Sequence, residues 1–269
     1  MRNNDPLHNQ YVNSNNLNRR ININKLYSTN NIPFWDWVYD NYSLSTVKNI
    51  IEIGCGNGEF WYNCHSKLPK KSRLLLTDNS DGMLIDCKKK LQLIKNIKYR
   101  KYNLNDKPFI YSSFDTVMAH FMLYHVKTID KSLIHLNQLA KNIGEIGIIT
   151  VGDFHCEEIY NLFRYIKNDI NIKKMTESFT EKIADTKLKK YFKIEKKEIY
   201  YDVLKVTSVE HLLLFIKSIP MIQNSILSNN FFDNLNQTIS KNIEKSGFFD
   251  INKKIVHYVC RKKIKILSA

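Results

Sequence analysis

At 269 residues the chain is long enough to bury a sizeable core in one domain with a small appendage. No apolar run reaches the roughly 18–20 residues needed to cross a bilayer, and the opening stretch "MRNNDPLHNQ" lacks the apolar segment of a signal peptide, so a soluble cytoplasmic protein with no membrane partner is expected. The formal charge of +15 suits anionic ligands, but the lysines are dispersed among Asn and Ile, a mixture that AT-rich codons produce regardless of function; nucleic acid is kept as a partner without being favoured.

Residues 1 to 30 are polar and Asn-rich, with Tyr11, Tyr27 and the Arg19-Arg20 pair, and their composition allows a disordered arm. "PFWDWVYDNY" then concentrates aromatic rings, which predicts a short helix docked on the main domain. From Lys48 onward, strand-like runs ("NIIEIG", "RLLLTD", the more polar "IKYRKYN", "FDTVMAH", "EIGIITVG") alternate with helical patterns such as "DGMLIDCKKKLQLI" and "TIDKSLIHLNQLAKNI". Apolar runs of this kind suit strands covered on both faces, and the alternation predicts βαβ units around a parallel sheet, the doubly wound α/β class. Residues 155–190 read as helical. "FKIEKKEIYYDVLKV" and "KIVHYVCRKK" read as late strands, with "VEHLLLFIKSI" and "FFDNLNQTISKNIEKSG" at helical spacing between them. That division gives an N-terminal arm and aromatic helix over 1–46 and a main domain over 47–269, with a helical insertion at about 205–247 that is either a substrate lid or added core packing.

The five cysteines (Cys55, Cys64, Cys87, Cys156, Cys260) are scattered and form no CxxC pair, and the histidines lack metal-ligand spacing, so neither a disulfide framework nor a metal site is expected. The chemistry concentrates in "IEIGCGNGEF", Ile51 to Phe60. Gly54, Gly56 and Gly58 follow an apolar strand and precede a helix, which lets the backbone turn tightly and a ligand approach closely. A dinucleotide loop reads GxGxxG, whereas here Glu59 stands where the third glycine belongs and Glu52 sits two residues before the first. An acid beside the loop disfavours a pyrophosphate and suits a ligand that brings positive charge.

On these residues the stretch resembles the first motif of the class I, Rossmann-like, S-adenosylmethionine (SAM)-dependent methyltransferases, in their small-molecule branch. "LLLTDNSDGML" is similar to that family's second-strand motif, "YNLNDKPF" to its third, "FDTVMAHFMLYHV" to its fourth-strand motif and "GEIGIITVGDFH" to its fifth strand. "NKLYSTN" with "FWDWVYD" resembles an N-terminal cover of the same branch, and the late "EIYYDVLKVTSVEHLLLFI" is similar to it too. The chain departs from the family with Asn103 in place of the usual Asp and with "IGEIG" in place of PGG, leaving two turn glycines. The resemblance implies a doubly wound, mostly parallel seven-stranded sheet with helices on both faces and helical lid elements at the N-terminus and late in the chain. It implies SAM as cofactor, with S-adenosylhomocysteine as product, and a small-molecule acceptor.

Carried onto this sequence, the resemblance places Gly54, Cys55, Gly56 and Gly58 against the cofactor and Glu52 near its ammonium. Asp78 would hold the ribose hydroxyls, since a carboxylate accepts two donors at once, with Asn79 beside it; its alternative is to cap the helix at Ser80. Met83 either flanks the adenine or packs in the core, and Asn103 and Leu104 would read the adenine edge. His120 would approach the methionine end at the carboxyl edge of the sheet, and Tyr27 would close over the cofactor from the arm. Tyr124, His125 and His155 are the catalytic candidates facing the acceptor, the histidines because an imidazole titrates near neutrality. Asp153 is either a site residue or a helix N-cap ahead of Glu157 and Glu158. The function implied is methyl transfer to O, N or C of a small, specialised metabolite. Its rivals are methyl or carboxymethyl transfer to a nucleotide, RNA or nucleotide-bearing peptide, and a non-catalytic SAM-binding scaffold. The acceptor and the oligomeric state are not legible in the sequence.

Overall fold

The computed structural model describes residues 11–106, 110–166, 175–223 and 227–263. The first ten residues of the arm, 107–109 at the end of the third motif and 167–174 in the expected helical stretch lie outside the described residues. Five strands, β1 (Asn49–Ile53), β2 (Arg73–Asp78), β3 (Ile97–Lys101), β4 (Phe114–His120) and β5 (Ala140–Val151), pair in parallel. The long hairpin of β6 (Phe192–Val206) and β7 (Phe249–Lys262) adds antiparallel through β7, giving the order β3-β2-β1-β4-β5-β7-β6. Ile50, Ile51 and Ile53 of β1 are all buried, as a central strand covered on both faces requires.

One face is covered by α2 (Phe34–Asp40), α3 (Glu59–Cys64) and α4 (Asp81–Lys90), whose Val38, Phe60, Trp61, Leu84 and Cys87 pack on Ile50, Leu76, Met118 and Ile149. The other is covered by α5 (Ile129–Leu139) and α7 (Glu181–Tyr191), packed on Ile51, Val117, Ile148 and Tyr258. A third cluster joins α1 (Asn15–Tyr27) and α6 (Glu157–Ile166) to the helices between β6 and β7, which are α8 (Val209–Lys217), α9 (Pro220–Gln223) and α10 (Asn229–Ser246). Local chemistry sets the ends of these elements. Ser80 caps α4 by accepting from the Met83 N–H at 3.1 Å, Lys88, Lys89 and Lys90 complement its carboxyl end, and Gly247 stops α10 at φ 82°.

Three expectations are corrected. The arm is ordered from residue 11 and helical from Asn15, because its side chains find partners on the sheet domain rather than a core of their own. The helix expected to run through "NQLAKNI" stops at Leu139, and Ala140 already pairs with Phe114, because β5 begins there with a bulge. Gly147 is not a turn glycine: it lies inside β5, where a Cβ would stand 1.9 Å from the Tyr42 hydroxyl.

Candidate cofactor and acceptor site

The site forms at the carboxyl edge of the parallel strands, where the turn after β1 meets the turn after β2. Gly54, Gly56 and Gly58 all hold positive φ (71°, 55° and 77°), a conformation that side chains resist. The Gly56 N–H donates to one oxygen of Asp78 at 3.0 Å and the Ser80 N–H to the other at 2.8 Å, so this carboxylate ties the two turns together. Ser80 itself caps α4, so Asp78 is not the cap. Burial raises the Asp78 pKa above the usual carboxylate range, against the pull of the backbone N–H donors of Ser80 and Gly56. A carboxylate short of solvent in this way fits a pair of ribose hydroxyls, which would supply the missing donors. The protein itself packs closely on the glycine turn: a Cβ on Gly54 would stand 2.9 Å from Met122, and one on Gly56 would stand 3.1 Å from Leu17.

Leu17 belongs to the arm, which the resemblance implied as a cover but whose contacts with the turn sequence reasoning did not assign. Tyr11 O accepts from the Ser80 hydroxyl at 2.5 Å, Ser14 N–H donates to Asp86 at 2.8 Å, and Asn57 in the glycine turn donates to Asn18 at 2.7 Å. Glu59, which breaks the dinucleotide pattern, pairs with Lys25 of α1 at 2.6 Å and with Lys90 of α4. Burial alone would raise its pKa, but those two ammonium groups hold it below the ordinary value. So the arm, the turn and α4 are clamped at one point.

Beyond Asp78, the arm meets the turn after β4. Tyr11 Oη lies 3.0 Å from His125 Nε2, the rings meeting edge to face, and the Arg20 guanidinium lies over the Tyr11 ring at 6.0 Å. His125 Nδ1 is buried without a hydrogen-bond partner among the described residues. Burial, with a smaller contribution from Arg20, pushes the His125 pKa down to about 4, so the imidazole is neutral at physiological pH. Burial likewise raises Tyr124, which packs edge to face on His125 at 4.5 Å between centroids. Tyr11 and Arg20 were visible in the sequence, but nothing there paired them with a turn more than a hundred residues away.

The remaining sequence candidates divide by location. Asn79 stands beside Asp78, its backbone N–H donating to that carboxylate. Cys55 turns its thiol towards Cys87, an interaction that with burial raises its pKa, and Met83 is a fully buried residue of α4 itself. Asn103 accepts from the Asn105 backbone at 2.9 Å, and the Leu104 carbonyl is 3.0 Å from His135. Glu52 and His120 are enclosed on the α2–α3 face: Glu52 accepts from Trp61 Nε1 at 2.5 Å and from His120 Nδ1 at 2.9 Å, and His120 Nε2 faces the Tyr42 hydroxyl at 2.7 Å. The burial of Glu52 thus needs no cofactor ammonium to explain it. Tyr27 lies in the helical-insertion cluster, 2.7 Å from His211 of α8, where Tyr11 and not Tyr27 reaches Ser80 and His125. His155 contacts the Lys254 backbone of β7 at 3.0 Å, apart from the Tyr11–His125 pair. Asp153 is exposed, and Cys156, not Asp153, directly precedes α6.

A glycine turn bonded to the acid that ends the second strand, in a sheet ordered 3-2-1-4-5-7-6, is the arrangement of a class I SAM-dependent methyltransferase. Residues 50–144 match the family described as "Methyltransferase domain". The ubiquinone/menaquinone biosynthesis C-methyltransferases UbiE of Rickettsia prowazekii and Rickettsia typhi are similar to it, at 32% and 29% identity. Each match covers 36% of this chain and 42% of the relative's length. A protein of Bacillus halodurans described as a candidate methyltransferase superposes with a TM-score of 0.61 at 10% identity, over 86% of this chain and 99% of its own. The cyclase SpnF superposes at 0.54 and 13% identity, over 86% of this chain and 80% of its own. At such identities the superpositions speak for the fold.

Proposed function

We propose that the protein transfers a methyl group from SAM to O, N or C of a small metabolite held between the arm and the turn after β4. The observation that supports this best is Asp78 bonded to Gly56 and Ser80 under a covering arm, with the unpartnered His125 Nδ1 beside it. SAM, when bound, supplies an electrophilic methyl carbon that needs no further activation. What remains for the protein is positioning and the exclusion of water. Asp78 and Asn79 would hold the ribose, and the glycine turn would admit the cofactor closely. The arm, through Tyr11, Leu17 and Asn18, would close over it. A neutral imidazole with a pKa lowered to about 4 is a poor proton acceptor, so His125 would orient the acceptor through a hydrogen bond while covered.

A second reading is favoured by Arg20. Transfer of a carboxymethyl group from a SAM derivative requires a cation beside the reacting carbon, and Arg20 is the guanidinium that the arm brings over Tyr11 at His125. Because the fold also carries a cyclase, the chemistry has to be read from products. Calorimetry with SAM and S-adenosylhomocysteine checks the first step, and no binding of either by folded protein would sink both readings. Incubation with labelled SAM and host extract, followed by mass spectrometry, identifies the product. Dependence on a carboxylated donor, lost in Arg20→Met, would replace the first reading by the second.

A further inference from the structure

The amino edge of the sheet, opposite the cofactor turn, carries an unusual surface. Residues 67–101 hold eleven lysines and arginines against three aspartates, which is more than half of the chain's formal +15. The three aspartates do not neutralise the amino edge: Asp78 is at the site, Asp81 pairs with Lys101, and Asp86 accepts from the arm. Lys48, Lys70, Lys71, Arg73 and Lys95 are all exposed and form no ion pair among the described residues. Backbone bonds make these positions neighbours. Arg73 N–H donates to Lys48 O at 2.7 Å, Leu74 N–H donates to Asn96 O at 3.0 Å, and the Asn96 side chain reaches Lys70 O at 3.4 Å. Asp115 then links this row to the start of β5: it accepts from the Lys48 and Asn49 N–H groups and is itself paired with Lys141 at 2.7 Å.

Two aliphatic side chains stand at the ends of that row. Leu93, in the turn between α4 and β3, is 90% exposed, and Ile143, on the β5 bulge, is 84% exposed. These are the two most exposed large apolar side chains among the described residues, and both lie on the amino edge. Single exposed hydrophobics need no explanation. Two fully presented ones bracketing an unpaired cationic row on one edge ask for a partner that is anionic and apolar at once. We propose that the amino edge docks on an anionic lipid surface, the cations engaging phosphate headgroups while Leu93 and Ile143 enter the acyl boundary. Four of the five named cations are lysines, point charges suited to diffuse headgroups. Nucleic acid would leave Leu93 and Ile143 without a role, since stacking on bases needs aromatic rings or guanidinium planes. Docked in this way, the carboxyl edge and its arm face away from the membrane.

Co-sedimentation of the full chain with vesicles containing phosphatidylglycerol, against pure phosphatidylcholine vesicles and labelled single-stranded RNA, tests this. Retention on the anionic vesicles that weakens with salt is expected, falling about fivefold for each of Lys70→Gln, Lys71→Gln and Lys95→Gln. Leu93→Ser with Ile143→Ser should weaken it further at unchanged charge, while Tyr165→Ser, which removes a 79% exposed ring from α6, should not. SAM binding by each variant reports that it is folded, because the cofactor turn lies at the opposite edge. No retention on anionic vesicles would overturn the proposal. RNA binding without vesicle binding would overturn it too, as would a Leu93/Ile143 double variant indistinguishable from the Tyr165 control.

Discussion

The two edges of one parallel sheet differ in what surrounds their ionisable groups. At the carboxyl edge the arm takes charged and polar groups out of water: Asp78 is raised by burial, His125 is lowered, and Glu59 needs two lysines to stay ionised. At the amino edge Lys70, Lys71 and Lys95 stand in solvent and pair with no acid among the described residues. The difference teaches that charge on this protein is spent in two ways. Desolvation sets protonation states under the arm, and a surface potential remains where none of the described residues pairs with the lysines.

Acid should break the comparison most strongly. An unfolded histidine takes up a proton below about pH 6.5, whereas His125 resists until about pH 4 and His257, wholly buried, is also pushed well down. The unfolded chain therefore binds more protons across that window, so stability falls as pH drops through it, by up to about 3 kcal/mol for His125 alone. Denaturant midpoints measured from neutral to acid pH should show this fall, and His125→Asn should remove its share of the slope. Next in size is Asp78→Ala, which deletes the acceptor joining Gly56 to Ser80 and should weaken S-adenosylhomocysteine by about 2 kcal/mol or more, read by calorimetry. Unchanged affinity would remove Asp78 from the cofactor site.

Tyr42→Phe sharpens the contrast inside the covered region, because it leaves the buried His120 Nε2 without its 2.7 Å partner; a loss of about 1–2 kcal/mol in thermal or chemical unfolding is expected. Gly82→Ala probes the arm alone: a Cβ there would stand 1.7 Å from the Val12 carbonyl oxygen, so residues 11–27 should lose hydrogen-exchange protection while the sheet keeps its own. The smallest effect belongs to the bare edge. Leu93→Ser should change stability by no more than about 0.5 kcal/mol, because a side chain that is 90% exposed has little burial to lose.

What was legible in the sequence follows the range of the interactions. Strand runs such as "IIEI" and the stop at Gly247 act over a few residues, and they can be read along the chain. The turn at the three glycines and the position of Asp78 were legible for the same reason, since each follows or ends an apolar run that reads as a strand. Glu52 misled because its partners, Trp61 and His120, come from a helix and from another strand, and a buried acid read alone looks in need of an outside cation. Tyr27 misled because the arm's direction is set by packing: Lys25 on Glu59 and Tyr27 on His211 carry that end of α1 to the insertion, leaving Tyr11 at the turn.

The sequence by itself determined the alternation of strands and helices, the place of the glycine turn and the class of cofactor it serves, because backbone propensity and turn chemistry are local. Only the tertiary structure decided which rings close over that turn, which acids are already satisfied inside the protein, and that Lys70, Lys71 and Lys95 meet Lys48 and Arg73 on one edge. Those outcomes depend on burial and on contacts between residues distant in the chain, and neither quantity exists until the sheet has formed.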